Sequence, residues 1–100
     1  MNVLALSGAL DAPILDNTRG ELRQGDRAVR MTRTNRKLLM LLVANRASWT
    51  TYHQISEHLF GPEQAHHESL VRVHVYNLRR KLEGFSVELH TIRGKGYRLV

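Results

Sequence analysis

Over residues 69–83 the chain places Arg72, Val73, Tyr76, Asn77, Arg79 and Arg80 at helical spacings, and near its end it carries Arg93-Gly94-Lys95-Gly96. Laid on a helix, the first set groups cations, an amide, a phenol and an isolated valine on one side. Guanidinium forks suit phosphate oxygens or guanine edges, an amide pairs with the N6/N7 edge of adenine, and an exposed valine packs on a thymine methyl. The second set is a narrow cationic tip whose glycines permit close approach, and an arginine there suits the negative potential of a narrow minor groove. Together the two sets imply a polyanionic partner with readable edges.

The elements that must position these residues follow from local rules. Val71, Val75, Leu78 and Leu82 are spaced i, i+4, i+7, i+11, so a helix over 69–83 has one narrow apolar stripe for the core. Ser69, Val73, Tyr76, Asn77 and Arg80 then lie opposite, flanked by Arg72 and Arg79, and Gly84 is placed to end the helix in a left-handed conformation. Two shorter helices precede it. Thr32 caps the first, which buries Leu38, Leu39, Leu41 and Leu42 and ends near 44–46. Thr51-Tyr52-His53-Gln54 fits a capping box, opening a second helix that buries Ile55 and Leu59 and stops at Gly61-Pro62. The final stretch, 87–100, alternates around the glycine-bearing tip and reads as a β-hairpin.

Residues 1–31 read as short strands at 3–6, 14–15, 21–23 and 28–31, divided by Asp16-Asn17 with Gly20 and by Gly25-Asp26. A small antiparallel sheet is the economical arrangement, since Pro13 disfavours helical geometry at Ala12. This region holds four basic and four acidic residues, so the net charge of +6 arises from eleven basic against five acidic residues over 32–100. The function is expected in that second part.

With 100 residues the chain forms one domain, and without cysteine its 42% hydrophobic content must hold the fold by packing alone. No apolar run approaches the roughly 18–20 residues that cross a bilayer, and the first residues lack the flank and centre of a signal peptide, so a cytoplasmic location is expected. Strands, three short helices and a basic terminal hairpin describe an α+β winged helix, whose third helix enters the major groove of DNA.

The run Val71-Arg72-Val73-His74-Val75-Tyr76-Asn77-Leu78-Arg79-Arg80-Lys81-Leu82, followed by Thr91-Ile92-Arg93-Gly94-Lys95-Gly96-Tyr97-Arg98-Leu99, resembles the effector domain of OmpR/PhoB-type response-regulator transcription factors. Both the recognition-helix pattern and the wing pattern of that family match at the expected separation. The resemblance implies an N-terminal four-stranded sheet (1–31), a three-helix core (32–83) and a wing hairpin (84–100). It implies sequence-specific binding of double-stranded DNA by a bacterial transcriptional regulator of a two-component phosphorelay, as head-to-tail protomers on direct repeats. By position, Val73, Tyr76, Asn77 and Arg80 would face bases, and Arg72, His74 and Arg79 bases or backbone. Thr51 and Phe60 would lie near phosphates, Thr91 and Tyr97 would support the wing at the backbone, and Arg93 with Lys95 would reach the minor groove. The loop 61–68, from Gly61 to Glu68, corresponds to a segment that family members present to RNA polymerase. The family usually has Glu where this chain has Asn35 and Asp where it has Arg72, and it normally carries a receiver domain ahead of this one.

The same architecture also serves as a protein–protein interaction module with a basic surface. His66 and His67 with Glu63 and Glu68 lack metal-ligand spacing, and no phosphate loop or nucleophile–base pair points to an enzyme, so neither a metal nor another cofactor is expected. Trp49 and Tyr52 read as packing residues. RNA is disfavoured because the A-form major groove is too narrow for a helix.

Overall fold

A computed structural model describes residues 2–62 and 68–100. Strands β1 (Val3–Ala5), β2 (Ile14–Asp16), β3 (Glu21–Gln24) and β4 (Arg27–Arg30) form an antiparallel sheet in sequence order. Pairing sets Leu4 against Leu15, Leu15 against Leu22, and Leu22 against Val29, so a single apolar row crosses the sheet and faces the core. The β2–β3 turn is fixed by Asp16, whose Oδ1 accepts the backbone N–H groups of Thr18 and Arg19 at 3.0 Å each.

Helix α1 (Arg33–Ala44) starts at the expected cap, Thr32. Its Oγ1 accepts the Asn35 N–H at 3.0 Å, while Asn35 Oδ1 accepts the Thr32 N–H at 3.0 Å. Asn35 therefore closes a capping box, satisfying a second exposed donor as a glutamate would. Leu38, Leu39 and Leu42 are buried, but Leu41 only partly so.

A two-residue strand, β5 (Thr50–Thr51), precedes α2 (Tyr52–Phe60), and the expected box forms at Thr51 and Gln54. Ile55 is fully buried as expected, whereas Leu59 is only half-buried near the helix end. Helix α3 (Glu68–Lys81) begins one residue earlier and ends two residues sooner than the apolar period suggests. Its stripe continues through Leu82, whose N–H still donates to Leu78 O at 3.0 Å, and the chain tightens only afterwards, with the Glu83 N–H on Arg80 O at 3.3 Å. Gly84 follows at φ 88°.

Strands β6 (Leu89–Ile92) and β7 (Gly96–Leu99) make the hairpin, and β5 adds to its β7 edge, giving the order β5-β7-β6. Val87 is buried but precedes the strand.

The core joins both sheets and all three helices through Leu15, Leu22, Leu38, Leu42, Ile55, Val71, Val75, Leu78 and Leu99. Each such aliphatic side chain contributes about 1.5–3 kcal/mol on burial. The N-terminal sheet also holds the end of α3 by polar contacts. Lys81 Nζ donates to Arg30 O at 2.7 Å, Arg27 Nη2 to Glu83 O at 2.8 Å, and Gln24 Nε2 to Ser86 Oγ at 2.6 Å. These bonds tie the C-terminal end of the third helix, and the turn after it, to the sheet. Among the described residues no helix is long and apolar enough to cross a membrane.

Candidate nucleic-acid interface

Burial of Val71, Val75 and Leu78 fixes the rotation of α3, and its outer face is open: Val73 is 52% exposed and Tyr76 56% exposed. No described residue covers these apolar side chains, so the face is built for contact. Tyr76 and Arg80 act as a unit, with Arg80 Nη1 donating to the Tyr76 hydroxyl at 3.3 Å and its guanidinium 5.9 Å from the ring centroid. That hydrogen bond, then the nearby Glu83 carboxylate, raise the Arg80 pKa further above its ordinary value.

Asn77 is exposed but turned to one side. At about 100° per residue it lies roughly 130° from the centre of the core stripe, not a full half-turn. It helps line an open groove of about 660 Å³ between α3 and the β4–α1 corner, with Thr32, Thr34, His74 and Arg80 on its walls and no carboxylate among its described lining residues. The apolar period places Asn77 on the outer face but leaves this groove invisible, because its far wall is built by residues of β4 and the start of α1, distant in sequence.

The cations flanking the face are partly engaged. Arg79 is half-buried; its Nε donates to Leu89 O at 3.0 Å and its Nη2 to Thr91 Oγ1 at 3.1 Å. It is a strut between α3 and β6, and Thr91 is its acceptor. Arg72 pairs with Glu68 at 3.1 Å and lies 5.8 Å from the Tyr52 ring centroid. A hydrogen bond to Tyr52, followed by the Glu68 charge, raises its pKa.

His74 and Phe60 are half-buried and stack at a tilt, 5.5 Å between centroids, where α2 meets α3. The Thr51 hydroxyl is occupied by its cap at 3.1 Å from Gln54 N, so its position marks the exposed start of α2. Tyr97 is buried in β7, edge-on to Tyr52 at 5.3 Å, and anchors the wing from inside rather than presenting its ring outward. At the tip Arg93 is exposed, whereas Lys95 Nζ sits 4.9 Å from the Trp49 ring centroid. Trp49 is thus a surface residue, 40% exposed, and not the packing residue expected near the start of α2; Tyr52 does pack.

Of the loop 61–68, Gly61 and Pro62 follow α2 and Glu68 opens α3, while Glu63, His66 and His67 lie outside the described residues. Among the described residues no three His, Asp or Glu side chains are grouped to hold a metal.

Burial pushes the Tyr97 phenol up to about 12, with the hydrogen bond to Tyr52 adding to the rise. An unfolded tyrosine ionises near pH 10, so the stability due to the neutral ring is complete below pH 10 and is lost as pH rises through about 12. Unfolding free energy is expected to fall by about 1 kcal/mol per pH unit across that window, and Tyr97→Phe to remove this component. Thermal melts of both proteins at alkaline pH provide the check; coincident slopes would clear Tyr97 of the effect.

Residues 26–99 match the family model described as the C-terminal domain of transcriptional regulatory proteins. The response regulator MprA of Mycolicibacterium vanbaalenii is 38% identical over 85 residues, covering 83% of this chain and 37% of that protein. The chain thus spans about 37% of the length of the curated relatives it matches. The DNA-binding domain of CpxR from E. coli superposes with a TM-score of 0.73 at 27% identity, covering 92% of this chain and 93% of that one. The DNA-binding domain of the response regulator AdeR, solved in complex with an intercistronic region, gives 0.72 at 26% identity, covering 87% and 90%. With its sheet, its three helices and its strutted wing all in the expected order, this chain belongs to the OmpR/PhoB-type family of response-regulator DNA-binding domains.

Proposed function

We propose that the domain recognises double-stranded DNA by sequence, with α3 in the major groove and the wing tip in the adjacent minor groove. The observation that carries this reading is the exposed Val73, Tyr76, Asn77 and Arg80 face, held outward by a fully buried opposite stripe. AdeR's complex with an intercistronic region supports it by family likeness. In this reading Val73, Asn77 and Arg80 select bases, Tyr76 orients Arg80, and Arg72, His74, Thr51 and Phe60 lie along the backbone. Arg79, Thr91 and Tyr97 keep the wing in register with the helix. The domain works without a cofactor or catalysis, in the cytoplasm, as the output of a two-component phosphorelay, and the 61–68 loop meets RNA polymerase.

Base-preference profiles on random duplexes test the assignment. Asn77→Ala is expected to relax discrimination at one position by about 1–3 kcal/mol, the worth of a bidentate base contact. Arg79→Ala is expected to weaken all sequences alike, because it loosens the wing and reads no base. An unchanged profile for Asn77→Ala with a reshaped one for Arg79→Ala would reverse the two roles.

Two protomers are expected to bind cooperatively, head to tail, on direct half-sites spaced about one helical turn, ~10–11 bp. Titration of duplexes bearing one or two half-sites checks this; equal affinity for both would exclude a tandem dimer.

A further inference from the structure

Trp49 is the chain's single tryptophan, and it stands just ahead of β5 with its ring partly in solvent. The β5–β7 ladder, with Thr51 opposite Gly96, brings this segment beside the wing turn. There the Lys95 ammonium lies over the indole at 4.9 Å. Arg93, at the other end of the same turn, makes no hydrogen bond or ion pair among the described residues. Gly94 between them, at φ 75°, lets the turn point its two cations differently. The tip therefore holds one cation back against the protein and leaves one free.

Indole is the strongest aromatic platform for an ammonium group. The turn between β6 and β7 is closed by one backbone hydrogen bond, Lys95 N–H to Ile92 O at 2.9 Å, but its two long cationic side chains would otherwise have to be ordered on binding. We propose that Trp49 is a positioning residue for the wing: by clamping Lys95 it orders the cations of the tip before DNA arrives and presents Arg93 as the one that enters the minor groove. Lys95 then serves as the clamp's handle and not as an independent phosphate contact. The proposal rests on the DNA-binding reading above and adds a residue that neither the motif nor the helix face includes.

The clamp can be read first without DNA, because all indole emission comes from Trp49. Lys95→Met is expected to shift that emission and increase its quenching by acrylamide, while Lys95→Arg keeps the wild-type values. The second arm is a double-mutant cycle on a duplex with an A·T-rich wing flank. Trp49→Ala and Lys95→Met are each expected to weaken binding about two- to fivefold, the double variant no more than either, and Trp49→Tyr to recover most of the loss. Base preference at the positions read by α3 is expected to stay unchanged in all of them. Unaltered emission in Lys95→Met would mean that the clamp does not exist in solution. Losses that multiply in the double variant, or a salt slope reduced by about one in Lys95→Met, would place Lys95 on a phosphate; either result overturns the proposal. Thermal unfolding of Trp49→Ala checks its folding, and Lys95→Met, a surface change, carries the test if that variant is unstable. Wild-type protein that binds no duplex would remove the proposed function and this role with it, with the emission arm still reporting whether the clamp forms.

Discussion

Affinity for duplex DNA is expected to fall by about 250- to 1,000-fold between about 50 and 200 mM salt, as a log–log slope of roughly −4 to −5. The charge count alone would allow more, since residues 32–100 hold eleven basic side chains. The structure commits several of them: Arg36 donates to Met31 O, Arg79 to the wing, Lys81 to Arg30 O and Arg98 to Arg46 O. The side chains of Arg33, Lys37, Arg46 and Arg93 have no such partner among the described residues, and Arg80 is held only by Tyr76 and, more weakly, Glu83. About five neutralised phosphates is therefore the scale, each releasing its condensed counterion. Fluorescence or mobility titrations across a salt series measure the slope. Affinity independent of salt would rule out a phosphate-dominated mechanism and favour a protein partner for the basic face.

Gly96→Ala is expected to destabilise the domain by about 2–4 kcal/mol and to abolish DNA binding through the wing. Gly96 is buried at φ 152°, and a β-carbon built there would overlap the Thr50 carbonyl across the β5–β7 ladder. The obstacle is backbone, which cannot rotate away. Because β5 contributes only Thr50 and Thr51, opposite Tyr97 and Gly96, one displaced pair leaves little of that ladder. Gly94→Ala is the control. Its φ of 75° also favours glycine, but a β-carbon there meets open space, so a loss of about 1 kcal/mol is expected. Thermal or denaturant unfolding compares the two; equal losses would show that the close approach at Thr50 does not matter.

The sequence by itself determined the parts governed by neighbours in the chain. Thr32 and Thr51 mark helix starts because a hydroxyl reaches an N–H three residues on, and both caps are present. Gly61 and Gly84 sit at positive φ, at the helix C-cap and in the turn after α3, since glycine alone adopts it without strain. The Val71, Val75, Leu78, Leu82 period settled which side of α3 is buried, and hence which face is free to touch a ligand. The wing and recognition-helix motifs were enough to identify the family.

What only the tertiary structure decided depends on where the chain returns to itself. Strand β5 has two residues and no alternation to detect; it exists because β7 comes alongside. Arg79 and Lys95 look in sequence like free cations, yet one is spent on Leu89 O and Thr91 and the other on Trp49. Asn77 reads as an outward amide, but the groove beside it is made by Thr32 and Thr34 from the β4–α1 corner. Local propensity reports on a residue's neighbours along the chain, whereas a cation's availability to DNA is set by acceptors that folding brings in from elsewhere.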